Sequence, residues 1–442
     1  MKKNFLGALF LSAIMILAGC NNSVTTADET GANVIAKTTT DVNYNLCKMT
    51  AETQIMRTAQ YDEKWAGAEI TDHYYWYNPM IEDAPAYIEF KVTKDGEDAG
   101  YVMVSTTEQD FEVPEYSTEG KTMYECLQAQ SGTQDITATR FNSFDYMAEV
   151  AAGRGESKRV FFGDIAYMNN SEGGRGGSEY DEYIAQYKAF REKIGGIGGS
   201  KVELSKHYEM KKEEQDAIGR GDPITYDDMY TYVDRSDWLP TYDQFDYKGG
   251  KSGCSPTSAA IILAYWHRFH GKTNFFYKTP SLTNAGMTDN EKDVIKEIGG
   301  SAYMKTRYHD GTAGTTDRYN RWDGMYRYIL DHGYNHWCIR YYWVDHNSDE
   351  VTTGYWNTFP DWNTIFTEIR ENRPAFLSYD DPSGHSAVIY DVLIHRDNIG
   401  QLGDVHVSIV TGWGDGKNGI PARKTVNAGS YVFYEVLTVK MW

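Results

Sequence analysis

The stretch Lys251–Gly271, KSGCSPTSAAIILAYWHRFHG, sets one cysteine behind a glycine, ahead of a proline, and at the head of an apolar run with helical spacing. Ser255-Pro256 reads as a helix N-cap followed by proline at the first helical position, which predicts a helix over Pro256–His267. Cys254 then lies at a helix N-terminus, where unpaired N–H groups and the helix dipole favour negative charge. A thiol attacks carbonyls as its thiolate, so this is a setting for a nucleophile. The competing reading is a buried small hydrophobe, the common fate of a free cysteine. Gly249, Gly250 and Gly253 let the preceding backbone pass close to a bound peptide.

GCSPTSAAIILAYW is similar to the GCGPTAAAMxLAYW-type signature of papain-like bacterial cysteine peptidases, the branch that holds the bacteriocin-processing peptidases and, more distantly, streptopain. The resemblance covers roughly the last two hundred residues and implies an α+β fold with a helix lobe and an antiparallel sheet lobe. In that family a glutamine several residues before the cysteine donates to the oxyanion. LPTYDQ, ending at Gln244, matches its setting, so the resemblance gives Gln244 that role beside the Cys254 N–H.

Two histidines compete for the base, His385 in RPAFLSYDDPSGHSAVIYDVLI and His406 in GDVHVSIVTGWGDG. His385 is favoured, because a helix over Trp362–Ile369 runs into a strand over Arg373–Tyr379 and a short loop then delivers His385, the order the family shows. A hairpin folded near Ile399 would also set position 385 opposite 411–413, where VTGWGDG falls. His406 would sit at the far end, with a hairpin partner near Thr438. The Asn or Asp that orients the imidazole in the family is absent here. A Thr411 hydroxyl, a backbone carbonyl, Asp415, or no third member at all are the alternatives. Trp413 is expected to shield the site.

The chain has 442 residues, enough for at least two folded units. A formal charge of −20 argues against a nucleic-acid partner, which needs neutralising lysines and arginines. Residues 1–20 end in Leu17-Ala18-Gly19-Cys20 and resemble a bacterial lipoprotein signal. That resemblance implies cleavage before Cys20, lipidation of its thiol, and anchoring at the outer membrane or cell surface.

Residues 21–41 read as a flexible stalk, short of large apolar groups. Residues 42–168 hold a β-hairpin, Ala86–Lys94 and Gly100–Glu108 across DGEDAG, with helices expected at Thr53–Ala59 and Ser143–Ala152. With EYSTEGKTMYECL and RVFFGDIAYM (Arg159–Met168), this segment resembles the prodomains of streptopain-type peptidases. Residues 169–237 read as a Gly-rich linker with helices, in which Arg175 and Arg220 are exposed cleavage points. Residues 238–442 are the peptidase-like unit, with further strands at Ser386–Ile394, Val405–Val410 and Tyr431–Val439.

Other signals lead away from chemistry. His267 and His270 lack clustered partner ligands, and His332 and His336 straddle a Gly-Tyr-Asn turn, so no metal and no cofactor are expected. Cys338 reads as core. Trp322, Tyr326 and Ile329 place a helix on the sheet. Cys47 and Cys126 lie in one region, and spacing alone does not pair them. The expectation is a lipid-anchored cysteine endopeptidase made as a zymogen, acting on polypeptides and held by its prodomain in cis. The alternatives are a surface-binding lipoprotein on a degenerate scaffold, which the GRGD segment at Gly219–Asp222 would suit, or Cys-His chemistry on a non-protein substrate.

Overall fold

The computed structural model describes residues 44–81, 84–107, 110–153, 156–163, 178–193, 212–213, 216, 220, 229–308, 313–342, 357–358, 362–379, 384–396, 402–413, 420–428 and 433–442. Cys20, the stalk, Arg175, Asp415 and, except for Arg220, the GRGD segment lie outside them.

The N-terminal part runs α1 (Tyr44–Thr58), β1 (Glu69–Tyr77), β2 (Tyr87–Lys94), β3 (Glu97–Ser105), β4 (Glu115–Ser117) and α2 (Met123–Ser131). It continues through β5 (Thr137–Arg140), β6 (Tyr146–Gly153), β7 (Glu156–Phe162) and α3 (Ser178–Lys193). The period-two alternation of β2 decides which helix each face meets. Ile88, Phe90 and Val92 pack with Cys47, Ala51 and Ile55 of α1. Tyr87 faces the other way, into a cluster with Met123 and Leu127 of α2. Glu89 accepts from the Met123 and Tyr124 N–H groups at the start of α2, 2.6 and 3.0 Å away, where the helix dipole favours a carboxylate. The predicted hairpin is observed as β2 and β3, with Lys94 opposite Glu97.

The helix expected at Ser143–Ala152 is instead strand β6. Tyr146 and Ala148 enter one cluster and Met147 the opposite one, a period of two that the apolar content concealed. Cys47 and Cys126 are both free. Burial pushes each thiol up to about 12.

The C-terminal part begins with β8 (Met229–Tyr232), inside the stretch read as linker, and β9 (Asp246–Tyr247) and β10 (Gly250–Lys251). Helices α4 (Cys254–Phe269), α5 (Asp289–Ile298) and α6 (Arg318–Asp331) follow. Then come β11 (His336–Tyr342), β12 (Asn357–Thr358), α7 (Trp362–Arg370), β13 (Ala375–Tyr379), β14 (His385–Arg396), β15 (Leu402–Val410), β16 (Arg423–Asn427) and β17 (Phe433–Met441). Helix α4 is apolar on nearly every side because it is enclosed: Ala259 through Trp266 all belong to the main core, with Ile389 of β14 and Leu377 of β13.

The fold class is α+β, built on one large, mostly antiparallel sheet. Its order is β12-β11-β17-β13-β14-β15-β16-β4-β3-β2-β1-β5-β6-β7, with β8 added on β14. The two parts of the chain meet where β16 pairs with β4, Thr425 opposite Tyr116 and Val426 opposite Glu115.

Candidate active site

Helix α4 starts two residues earlier than predicted from its cap. Gly253 is the N-cap and Cys254 the first helical residue. Ser255 does not cap, because its hydroxyl is used elsewhere; Pro256 falls in the first turn, where a missing N–H costs no helix bond. Gly253 has φ +94°, and a Cβ there would lie 2.7 Å from the Gly314 carbonyl oxygen, so glycine alone fits this approach to the thiol.

His385 opens β14. The residues that follow Cys254 and His385 are joined: Ser255 Oγ lies 2.9 Å from Ser386 Oγ, and Ser258 Oγ donates to the Ser386 carbonyl at 3.0 Å. The start of α4 is therefore fastened to the start of β14, side by side. The β14–β15 register, with Val388 opposite Val410, carries position 385 towards 413, as the hairpin argument expected. His385 Nε2 lies 2.7 Å from the backbone carbonyl of Thr411. The Thr411 hydroxyl points away and donates to the Pro421 carbonyl at 3.0 Å. Of the third members considered, the backbone carbonyl is thus the one in contact; Asp415 is outside the described residues. Trp413 stacks on the imidazole at 5.5 Å and 13°.

Gln244 is held between these two elements. Its neighbour Asp243 bridges Trp413, and its other neighbour Phe245 accepts from Ser252 N–H at 2.9 Å, two residues before Cys254. The Gln244 amide is 2 % exposed, and neither its oxygen nor its nitrogen has a hydrogen-bond partner. A buried amide without a partner among the described residues costs stability rather than adding to it.

His406 lies elsewhere. It pairs with Leu393 and Asn427 across its strand neighbours, rather than near Thr438, because β16 intervenes. Its Nε2 faces the Val113 carbonyl at 3.3 Å and its ring packs on Tyr116 at 5.8 Å, both in the N-terminal part. Two other described histidines have backbone partners. His270 Nε2 meets the Asn372 carbonyl at 2.7 Å, and His332 Nδ1 the Tyr328 carbonyl at 2.7 Å. Cys338 sits in β11 beside Trp322, whose Nε1 donates to its carbonyl at 3.0 Å, and burial pushes its thiol up.

One contact had no sequence signal. Phe144, in the turn before β6, stacks on Tyr379 at 4.4 Å and covers His385 at 4.8 Å. It is grouped with the main core of the C-terminal part, although its sequence neighbours belong to the N-terminal part. The turn is anchored by buried charge. Arg140 Nη2 is 3.2 Å from Glu115 and 2.9 Å from Ser143 Oγ, and Lys424 Nζ donates to the Ser143 carbonyl and lies 3.8 Å from Glu115. Burial pushes Lys424 down to about 8, although Glu115 opposes this. Burial alone would raise Glu115, but Lys424 and Arg140 outweigh it and hold its carboxyl below the usual range. Arg140, Glu115 and Lys424 are separated by more than three hundred positions in all, and nothing local in the sequence marks them as a cluster.

Residues 236–398 match the family described as Peptidase_C39 like family. No curated protein matches the chain. Among solved structures, a fragment of prointerpain A from Prevotella intermedia aligns with a TM-score of 0.36 and 13 % identity, over 80 % of this chain and 95 % of that one. The matched segment holds Gln244, Cys254 and His385 and is similar to that peptidase family.

Proposed function

We propose that the protein is a cysteine endopeptidase of the cell surface, made as a zymogen. Cys254 attacks the peptide carbonyl, the Gln244 amide and the Cys254 N–H stabilise the oxyanion, and His385 takes the thiol proton and returns it to the leaving amine. With Nε2 committed to the Thr411 carbonyl, Nδ1 is the nitrogen that serves the thiol. The carbonyl fixes tautomer and ring direction, the part an Asn or Asp plays in related sites. Residues 42–168 act as the prodomain in cis, with Phe144 over the imidazole. The linker at 169–237 is the place of release, residues 238–442 form the peptidase unit, and the lipid on Cys20 holds residues 21–41 and all that follows to the membrane.

The observation that supports this reading is the bond between His385 Nε2 and Thr411 O, at the start of a strand whose next residue, Ser386, is bonded to Ser255, the residue after Cys254. The test is the pH dependence of Cys254 alkylation by iodoacetamide in chain lacking residues 1–20, before and after a cut in the linker. Rapid labelling far below the pKa of about 8.5 of a free thiol, lost in His385→Ala and kept in His406→Ala, is expected. Slow labelling that titrates like an ordinary thiol in every form would replace the peptidase by a surface-binding lipoprotein.

A further inference from the structure

The space that Phe144 fills has walls of its own. Tyr379 lies parallel to the Phe144 ring within 21°, His385 is tilted 35° to it, and Lys424 Nζ stands 5.0 Å from the ring centroid. Tyr379, His385 and Lys424 all belong to the C-terminal part, so they remain when Phe144 departs. What is left is a slot in the corner made by a phenol and an imidazole whose ring centroids lie 6.0 Å apart, with the phenol along its flat side and a cation facing the ring position. Such a slot suits a planar π-face: stacking on Tyr379 and the cation over the ring reward an aromatic side chain, and an aliphatic one obtains neither.

The finger that presents Phe144 is stiff. Asn142 Oδ1 accepts from the Phe144 and Asp145 N–H groups at 2.6 and 2.8 Å, and Asn142 Nδ2 donates to Asp145 at 3.0 Å. The ring thus arrives in a fixed place, as a substrate side chain would.

Resting on the peptidase reading above, we infer that this slot is the specificity subsite for an aromatic residue of the substrate, and that Phe144 occupies it as an internal mimic. The imidazole side of the slot fixes which residue. His385 delivers the proton to the departing amine, so the side chain lying on the imidazole is that of the residue contributing the amine. The substrate class is polypeptides with Phe or Tyr immediately after the scissile bond.

Two measurements test this. In the full mature chain, Phe144→Ala leaves the slot vacant, and L-phenylalaninamide, L-leucinamide and glycinamide are titrated while Cys254 alkylation is followed by mass. Phenylalaninamide is expected to slow labelling at concentrations at least about tenfold lower than leucinamide, the scale of pocket discrimination. Equal effects of the three amides overturn the slot. Should Phe144→Ala fail to fold, Phe144→Val, which vacates less volume, takes its place, with protection of the protein against thermal unfolding as the readout.

In the wild-type chain cut in the linker, matched peptides differing only in the residue after the scissile bond are compared. A kcat/KM for Phe and Tyr at least about tenfold above Gly and Asp is expected. Cleavage without preference overturns the substrate assignment and leaves the peptidase reading standing. Selective amide protection in a chain that cleaves no peptide upholds the slot and removes the peptidase reading.

Discussion

Ser255 Oγ and Ser386 Oγ lie 2.9 Å apart in the buried seam between α4 and β14, so the residue after the thiol is bonded to the residue after the imidazole. Ser386 Oγ has a second neighbour, Ser378 Oγ at 3.4 Å, whereas Ser255 depends on Ser386. Ser386→Ala is therefore expected to cost about 1–3 kcal/mol by orphaning the Ser255 hydroxyl, and Ser255→Ala less. The double substitution should cost less than the sum, which a double-mutant cycle in denaturant measures. Ser386→Ala should also slow Cys254 alkylation, because reacting groups tolerate little displacement; additive costs with an unchanged labelling rate would refute the fastening role.

The acceptor for His385 is a main-chain atom, which separates two classes of substitution. Thr411→Ala keeps the carbonyl and removes only the hydroxyl bonded to Pro421. It should lower stability by about 1 kcal/mol and leave the pH profile of Cys254 alkylation where it is. A profile displaced towards that of a free thiol would show instead that the hydroxyl orients the imidazole.

Much of this site was legible because local rules carry it. The apolar run after Cys254 could only be an enclosed helix, and the count of residues around Ile399 set 385 across from 411–413. The cap was misplaced because a serine before a proline is also free to bond across a seam, and the sequence does not say which acceptor lies nearer. Ser143–Ala152 was misread because an apolar segment with both faces buried shows no clean alternation. The α2 helix carries a capping box, Thr122 with Glu125, whose Thr-x-x-Glu spacing is legible in the sequence. Phe144, Lys424 and Glu115 meet only through tertiary contacts. No periodicity marks such a meeting.

Gly163 lies against the Phe144 turn with φ +89°, and a Cβ there would sit 1.7 Å from the Phe144 carbonyl oxygen. Backbone cannot yield as a side-chain tip does. Gly163→Ala should therefore cost more than about 1 kcal/mol, from strain at positive φ and from displacement of the turn. Displacement lifts the ring from His385, so Cys254 in the uncut chain should be alkylated faster than in wild type. Destabilisation with unchanged labelling would mean that the turn moves without uncovering the imidazole.

Asp391 supplies a pH prediction whose sign follows from its surroundings. It lies beside a cavity of about 480 Å³ where Tyr61, Tyr116 and Arg423 also form the lining, and it accepts from Tyr230 O–H at 2.9 Å, tying β8 to β14. Burial raises Asp391 to about 6, against the bonds from Ser408 and Tyr230, which favour the carboxylate. A carboxyl raised on folding holds a proton that the unfolded chain has released. Its contribution to stability is complete below about pH 4 and is lost as pH rises through 6. Asp391→Asn keeps an acceptor for Tyr230 and removes the titration. Unfolding free energies of the two chains, measured in denaturant from pH 4 to 7, should therefore change relative to one another by about 2 kcal/mol, the wild type losing ground as pH rises. Parallel curves would mean that Asp391 titrates alike in the folded and unfolded chains, and that its bond to Tyr230 holds β8 independently of pH.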